Sequence, residues 1–299
     1  MAISTVKATI NGTEYTLTNS GGNTWTATVT APGATSYNLA GGYYNVRVDV
    51  TNDAGTSATA DGGTLEGLRL VVKETVKPVI TIESPGAGAY ITNNSQSVIF
   101  TLADETGGSG VDISTLTFKL DGAAQAANTL SVVAISGGYR CTWTPPSAMS
   151  DGAHSISVDV QDNDGNAATQ ATRSFTVDTV PPVLNITSPA NGLITNKAAL
   201  TITGTTNDAT SSPVALTIKQ NGGAANNISV ESDGSFTHDI TLTDGVNTLE
   251  VAATDAAGRE TTVTLTVKLD TSVPVVTSAS ITPNPANAGA TVTIAVVIE

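Results

Sequence analysis

The sequence predicts an all-β protein made of β-sandwich modules in tandem, with the array incomplete at both ends. Three observations predict it. Thr, Ser, Val, Ala, Gly and Asn dominate a chain of 299 residues in which aromatic residues make up 4% and charged residues 13%. Thr and Val favour strands, while Gly and Asn fall at turns. Period-two alternation bounded by turn residues recurs along the chain, and no stretch shows helical periodicity. Finally, one segment repeats: Ile3-Ser4-Thr5-Val6-Lys7-Ala8-Thr9-Ile10-Asn11-Gly12 returns as Ile113-Ser114-Thr115-Leu116-Thr117-Phe118-Lys119-Leu120-Asp121-Gly122, and again as Ala215-Leu216-Thr217-Ile218-Lys219-Gln220-Asn221-Gly222.

The repeated segment reads as a strand running into a tight hairpin. Val6, Ala8 and Ile10 alternate into Asn11-Gly12, and Tyr15 and Leu17 alternate out of it. Asn-Gly supplies the positive φ angles of a two-residue hairpin turn, and Asp121-Gly122 and Asn221-Gly222 hold the same place later. The next strand is aromatic: Trp25, Ala27 and Val29 match Tyr139, Cys141 and Trp143, then Phe236, His238 and Ile240. Alternation puts all nine on one face, toward a core, where Cys141 acts as a small buried hydrophobe. A further strand follows in each copy, with Val46, Val48 and Val50 matching Ile156, Val158 and Val160, then Leu249, Val251 and Ala253. Each closes in a polar turn (Asn52 to Gly55, Asp162 to Gly165, Asp255 to Gly258), and a last strand lies near Leu68 to Val72, Arg173 to Val177 and Val263 to Leu269.

Module boundaries are regular. Glu74-Thr75, Asp178-Thr179 and Asp270-Thr271 each precede a proline step at Pro78, Pro181-Pro182 and Pro274. Proline narrows the conformations of a linker and removes ladder donors, which suits a stiff joint. The expected division is a shortened first copy over 1–77 lacking its first two strands, full modules over 78–179 and 180–272, and two leading strands of a further module over 273–299.

Composition excludes several function classes. A net charge of −14 disfavours nucleic acid and anionic membrane surfaces, since phosphate binding needs clustered Lys and Arg. A single cysteine excludes an internal disulfide framework. The N-terminus has no secretory-signal pattern, and no apolar run is long enough to span a bilayer. Catalysis finds no constellation: His154 stands where the other copies have Tyr44 and Asn247, His238 shares its position with Ala27 and Cys141, and no triad or phosphate loop assembles around them.

The stretches Ser109-Gly110-Val111-Asp112, Asp151-Gly152-Ala153-His154 and Val177-Asp178-Thr179-Val180-Pro181-Pro182 resemble the bacterial immunoglobulin-like repeats of bacteriophage virion proteins and bacterial surface adhesins. The resemblance implies a seven-stranded sandwich used as a spacer or contact surface, without catalysis. It implies a virion or tail setting, with other virion proteins as partners, or else a segment of a secreted cell-surface adhesin. A host-surface protein or glycan is a further expected partner.

Calcium is the one ligand worth carrying, with no other cofactor expected. Asp162, Asp164 and the acidic residues ahead of each proline step, Asp178 above all, offer hard oxygen ligands where modules meet, and Asp104 and Glu105 add to them. Adhesin modules of the kind resembled sometimes stiffen their joints in this way. Against this, Asp and Asn equally satisfy turn backbone groups, and position 164 is Ala54 and Ala257 in the other copies. Tyr37, Tyr43 and Tyr44 crowd one loop of the first copy, where such rings contact a partner or sugar, or cover a thin core. The ends are complementary as well: the missing strands of 1–77 are the strands present in 273–299, so copies joining head-to-tail by strand addition, a cut repeat and a partner-capped edge all fit.

Overall fold

The computed structural model describes residues 2–299. Strands dominate it, and helix is confined to the 3-10 turns Glu66–Leu68 and Ala127–Thr129. The chain divides into two compact units, Met1–Thr179 and Val180–Glu299.

The predicted turns form with the predicted backbone, and in the first two copies the ladder closes directly across them, with Ile10 opposite Thr13 and Leu120 opposite Ala123. Asn11, Asp121 and Asn221 have φ of 47°, 50° and 51°, and the glycines after them have φ of 79°, 78° and 71°. Positive φ at both central residues marks the turn whose twist matches that of the flanking strands.

Within the first unit, the second module is a two-sheet sandwich. One sheet orders the strands Tyr90–Ile91, Ala171–Val177, Gly152–Asp162, Val111–Leu120 and Ala123–Ala124. The other orders Leu130–Ile135, Gly138–Trp143, Val98–Ala103 and Val79–Ser84. Inward residues of both faces meet in one core holding Val98, Phe100, Leu102, Phe118, Cys141, Trp143, Val158 and Val177. Phe118 lies at its centre, with ring centroids 5.7 Å from Phe100 and 5.3 Å from Trp143. Two elements escaped the sequence pattern. Tyr90–Ile91 pairs in parallel with Thr176–Val177, and two residues carry no periodicity. Leu130–Ile135 is an edge strand, with Val132 and Val133 adjacent and both exposed, so alternation is broken there.

The first segment places Ile3–Ile10 between Thr13–Thr16 and Arg47–Asn52, with Ser57–Ala60 outside. Val6, Ile10 and Tyr44 are its buried hydrophobic residues. The expected core face of its aromatic strand is thin: Trp25 and Val29 are half-buried and Ala27 is exposed. Thr24–Thr26 pairs only with Thr18–Gly21, so no second ladder partner presses it inward.

The second unit repeats the sandwich. A three-stranded sheet of Val183–Ser188, Ala199–Asn207 and Ser235–Thr241 faces a five-stranded sheet of Leu193–Thr195, Glu260–Leu269, Gly245–Thr254, Ala215–Gln220 and Asn226–Ile228. Ile202, Leu216, Ile218, Phe236, Leu249, Val251 and Val267 fill its core. Beyond it, Val276–Thr282 and Thr293–Ile298 form a hairpin whose residues are all exposed.

Candidate cation site at the first joint

The joint between the first segment and the second sandwich lies inside the first unit and is densely bonded. Thr35 Oγ1 donates to Asp164 Oδ2 at 2.5 Å, and Glu74 N donates to the same oxygen at 3.0 Å. Asn38 Nδ2 donates to Gly108 O at 2.6 Å, and Lys73 Nζ to Asp164 O at 3.0 Å. Asn166 Nδ2 donates to Glu74 O at 3.1 Å, and Ser109 N donates to Glu74 Oε1. Two loops of the sandwich supply these groups: the one after Val98–Ala103 and the turn from Asp162 to Asn166.

Three carboxylates converge at this joint. Glu74, Asp104 and Glu105 each offer an oxygen, all within 4.8 Å of one another. Two oxygens bound to one calcium ion at about 2.4 Å can lie no further apart than about 4.8 Å. Glu74 holds the Ser109 backbone through Oε1, and Asp104 Oδ2 accepts from Gly110 N at 2.7 Å. The opposite oxygens, Glu74 Oε2 and Asp104 Oδ1, are buried without a hydrogen-bond partner, as is Glu105 Oε2. Among the described residues, no Lys or Arg pairs with these groups. Burial first, and then the charges of Glu74, Asp162 and Asp164, hold the Asp104 carboxyl above its usual range, although its bond from Gly110 opposes them. Gly108 leaves the room required: a Cβ there would lie 2.8 Å from Asp104 Oδ2 and from Glu105 Oε1.

Orphaned buried oxygens are costly, and a hard divalent cation is the group that fits them. The donors are all oxygen, with no thiolate or imidazole among them, which suits calcium rather than zinc.

Of the sequence-expected ligands, Asp104 and Glu105 join this cluster, and Glu74, the acidic residue before the first proline step, is the third member. Asp162 and Asp164 border it in different roles. Asp162 Oδ1 accepts from Asn166 N at 2.8 Å and Oδ2 from Asn166 Nδ2 at 2.8 Å, so both its oxygens serve the turn. At the equivalent positions one side-chain oxygen serves the turn in the same way: Asn52 Oδ1 accepts from Thr56 N, and Asp255 Oδ1 from Arg259 N. Asp178 does not share a site with Asp162 and Asp164. It follows the strand whose Val177 pairs with Gly152, and Asp162 ends that partner strand ten residues later, about 30 Å away.

The tyrosines separate too. Tyr44 is buried, and its hydroxyl donates to Ala34 O at 3.1 Å, so its place in a contact surface is corrected to the interior. Tyr43 carries the Arg69 guanidinium 5.1 Å from its ring centroid, and Tyr37 is 49% exposed.

Residues 90–179 match the family model described as bacterial Ig-like domain. The second sandwich is a bacterial Ig-like domain. Residues 182–271, the following sandwich, match the model for domain B of glucodextranase. Among curated proteins, chitinase ChiA of Flavobacterium johnsoniae is 29% identical over 65% of this chain, and bacillopeptidase F of Bacillus subtilis is 30% identical over 43%. The chain spans 13% and 8% of the lengths of those two proteins. Solved structures similar to this Ig-like array include titin domains A168–A170, at 15% identity and TM-score 0.41 over 88% of each chain. The fibronectin(III)-like modules of Clostridium thermocellum CbhA match at 16% identity and TM-score 0.38, over 64% of this chain and 94% of that one.

Proposed function

We propose that the chain is a non-catalytic Ig-like spacer and contact segment of a larger extracellular assembly, and that calcium fixes its first joint. One observation carries the reading: Glu74, Asp104 and Glu105 each keep a buried, unpartnered oxygen in a cluster tight enough for one ion. Bound calcium supplies charge neutralisation and oxygen coordination there. Glu74 belongs to the linker, Asp104 and Glu105 to the sandwich, so holding the three together resists bending between the two. A spacer needs that resistance, and the acidic surface keeps such an array soluble.

We assign two settings. In one, the chain is part of a phage tail or virion, with other virion proteins, a further copy, or a host-surface protein or glycan as its partner. In the other, it is part of a bacterial surface or secreted protein. The partial likeness to two far longer bacterial proteins favours the second, with this stretch a non-catalytic neighbour of other domains. Tail or capsid genes beside the complete reading frame decide for the first, whereas a secretion signal, cell-wall anchor or catalytic domain within it decides for the second.

Titration calorimetry of the full chain with calcium chloride tests the site. Asp104→Asn keeps an acceptor for Gly110 N and removes a charge, and Gly108→Ala intrudes on two carboxylates without changing charge. Both variants are expected to lose one class of binding site that the unaltered chain shows. Unchanged binding in both contradicts the assignment.

A further inference from the structure

We propose that His154 is a proton-loaded fastening: as an imidazolium it ties the Asp121–Gly122 turn to the Ser150 loop, and loss of its proton unfastens that end of the second sandwich. The joint described above lies at the opposite end of the same strand, Gly152–Asp162, so the two devices are independent.

Geometry carries the inference. His154 is 8% exposed, with Nδ1 2.7 Å from Asp121 Oδ2 and Nε2 2.8 Å from Ser150 O. A carboxylate and a peptide carbonyl only accept, and a neutral imidazole has one N–H. The doubly protonated ring alone satisfies both contacts; the neutral ring sets a lone pair against an oxygen. Asp121 is fixed in turn, since its Oδ1 accepts from Ser155 N at 2.7 Å. Phe175 stacks on the ring from the neighbouring strand, at 5.6 Å and 25°. Of the charged groups on the surrounding elements, Asp121 faces the ring, while Asp151 turns its carboxylate to Thr179 N and Oγ1.

The third sandwich builds the same three links without charge. Asn221 and Asn247 hold the places of Asp121 and His154. Asn221 Oδ1 accepts from Thr248 N at 2.8 Å, Asn221 Nδ2 donates to Asn247 Oδ1 at 3.3 Å, and Asn247 Nδ2 donates to Thr243 O at 2.7 Å. Ser150 and Thr243 each lie four residues before the polar side chain they receive. A neutral pair therefore suffices at this position, and the second sandwich instead uses a pair that depends on one proton.

Burial alone pulls the His154 value down, but the Ser150 carbonyl and the Asp121 carboxylate outweigh it and leave the ring above 6.5. A group with its folded value raised stabilises fully below its unfolded value, about 6.5, and loses that contribution as pH rises through the folded value. Each unit between the two values is a tenfold change in the folding constant.

The test is nitrogen-resolved NMR of the histidine rings of the full chain, with thermal melting across the same pH range. Protonation of both His154 nitrogens is expected at about pH 6.5, with a midpoint above the ordinary value. Melting of the second sandwich is expected to fall as pH rises further, and the double variant Asp121→Asn, His154→Asn to lack that slope. A neutral His154 tautomer at or below about pH 6 overturns the proposal, as does a melting slope identical in the unaltered chain and the double variant.

Discussion

Cys141 sits in an inner strand of its four-stranded sheet, paired with Phe100 on one side and Val132 on the other, and is wholly buried. Burial pushes its thiol up to about 11, so no thiolate is present near neutrality to attack a reagent. Thiol-specific reagents are therefore expected to label Cys141 only as fast as the second sandwich unfolds; labelling of the native chain faster than unfolding contradicts this. Cys141 as a small core residue was legible from alternation alone. The acidic residues were legible only in part, because a sequence shows how often a carboxylate recurs and not which of its oxygens is left bare. Asp162 and Asp164 stood out as a dense acidic turn, yet Asp162 spends both oxygens on Asn166. Glu74 is legible only through its repeated position ahead of a proline step.

Elements divide in the same way. The hairpins were readable because Asn-Gly and Asp-Gly name a turn whose positive φ few other pairs adopt. Gly138 is not legible in the sequence, since its reason is tertiary: a Cβ on it would lie 1.9 Å from Leu102 O across the ladder. That neighbour is backbone and cannot swing aside. Gly138→Ala is expected to destabilise the second sandwich by about 3 kcal/mol or more, through forced separation of two central strands; chemical denaturation measures it, and a loss below about 1 kcal/mol would contradict the close approach. Tyr90–Ile91 and Leu130–Ile135 escaped the sequence because one is too short for periodicity and the other is an edge strand with apolar residues on both faces.

At the scale of the whole molecule, the pattern of repeated sandwiches was plain in the sequence, because each copy restates the same strand, turn and linker signals. What was not plain is how unequal the copies are. Residues 78–179 and 180–272 each hold a continuous core, whereas the first segment buries few hydrophobic side chains and is held to its neighbour by the polar network around Asp164 and Glu74. Stability of that segment should therefore depend on the joint, and the joint on the cation that its bare oxygens call for. Calorimetric melting of the full chain in calcium and in chelator tests this most directly. At a calcium concentration about a hundredfold above the dissociation constant, the transition that includes residues 2–179 is expected roughly 5–10 °C higher than in chelator, with the difference lost in Asp104→Asn. Equal melting in the two solutions would contradict the cation-fixed spacer.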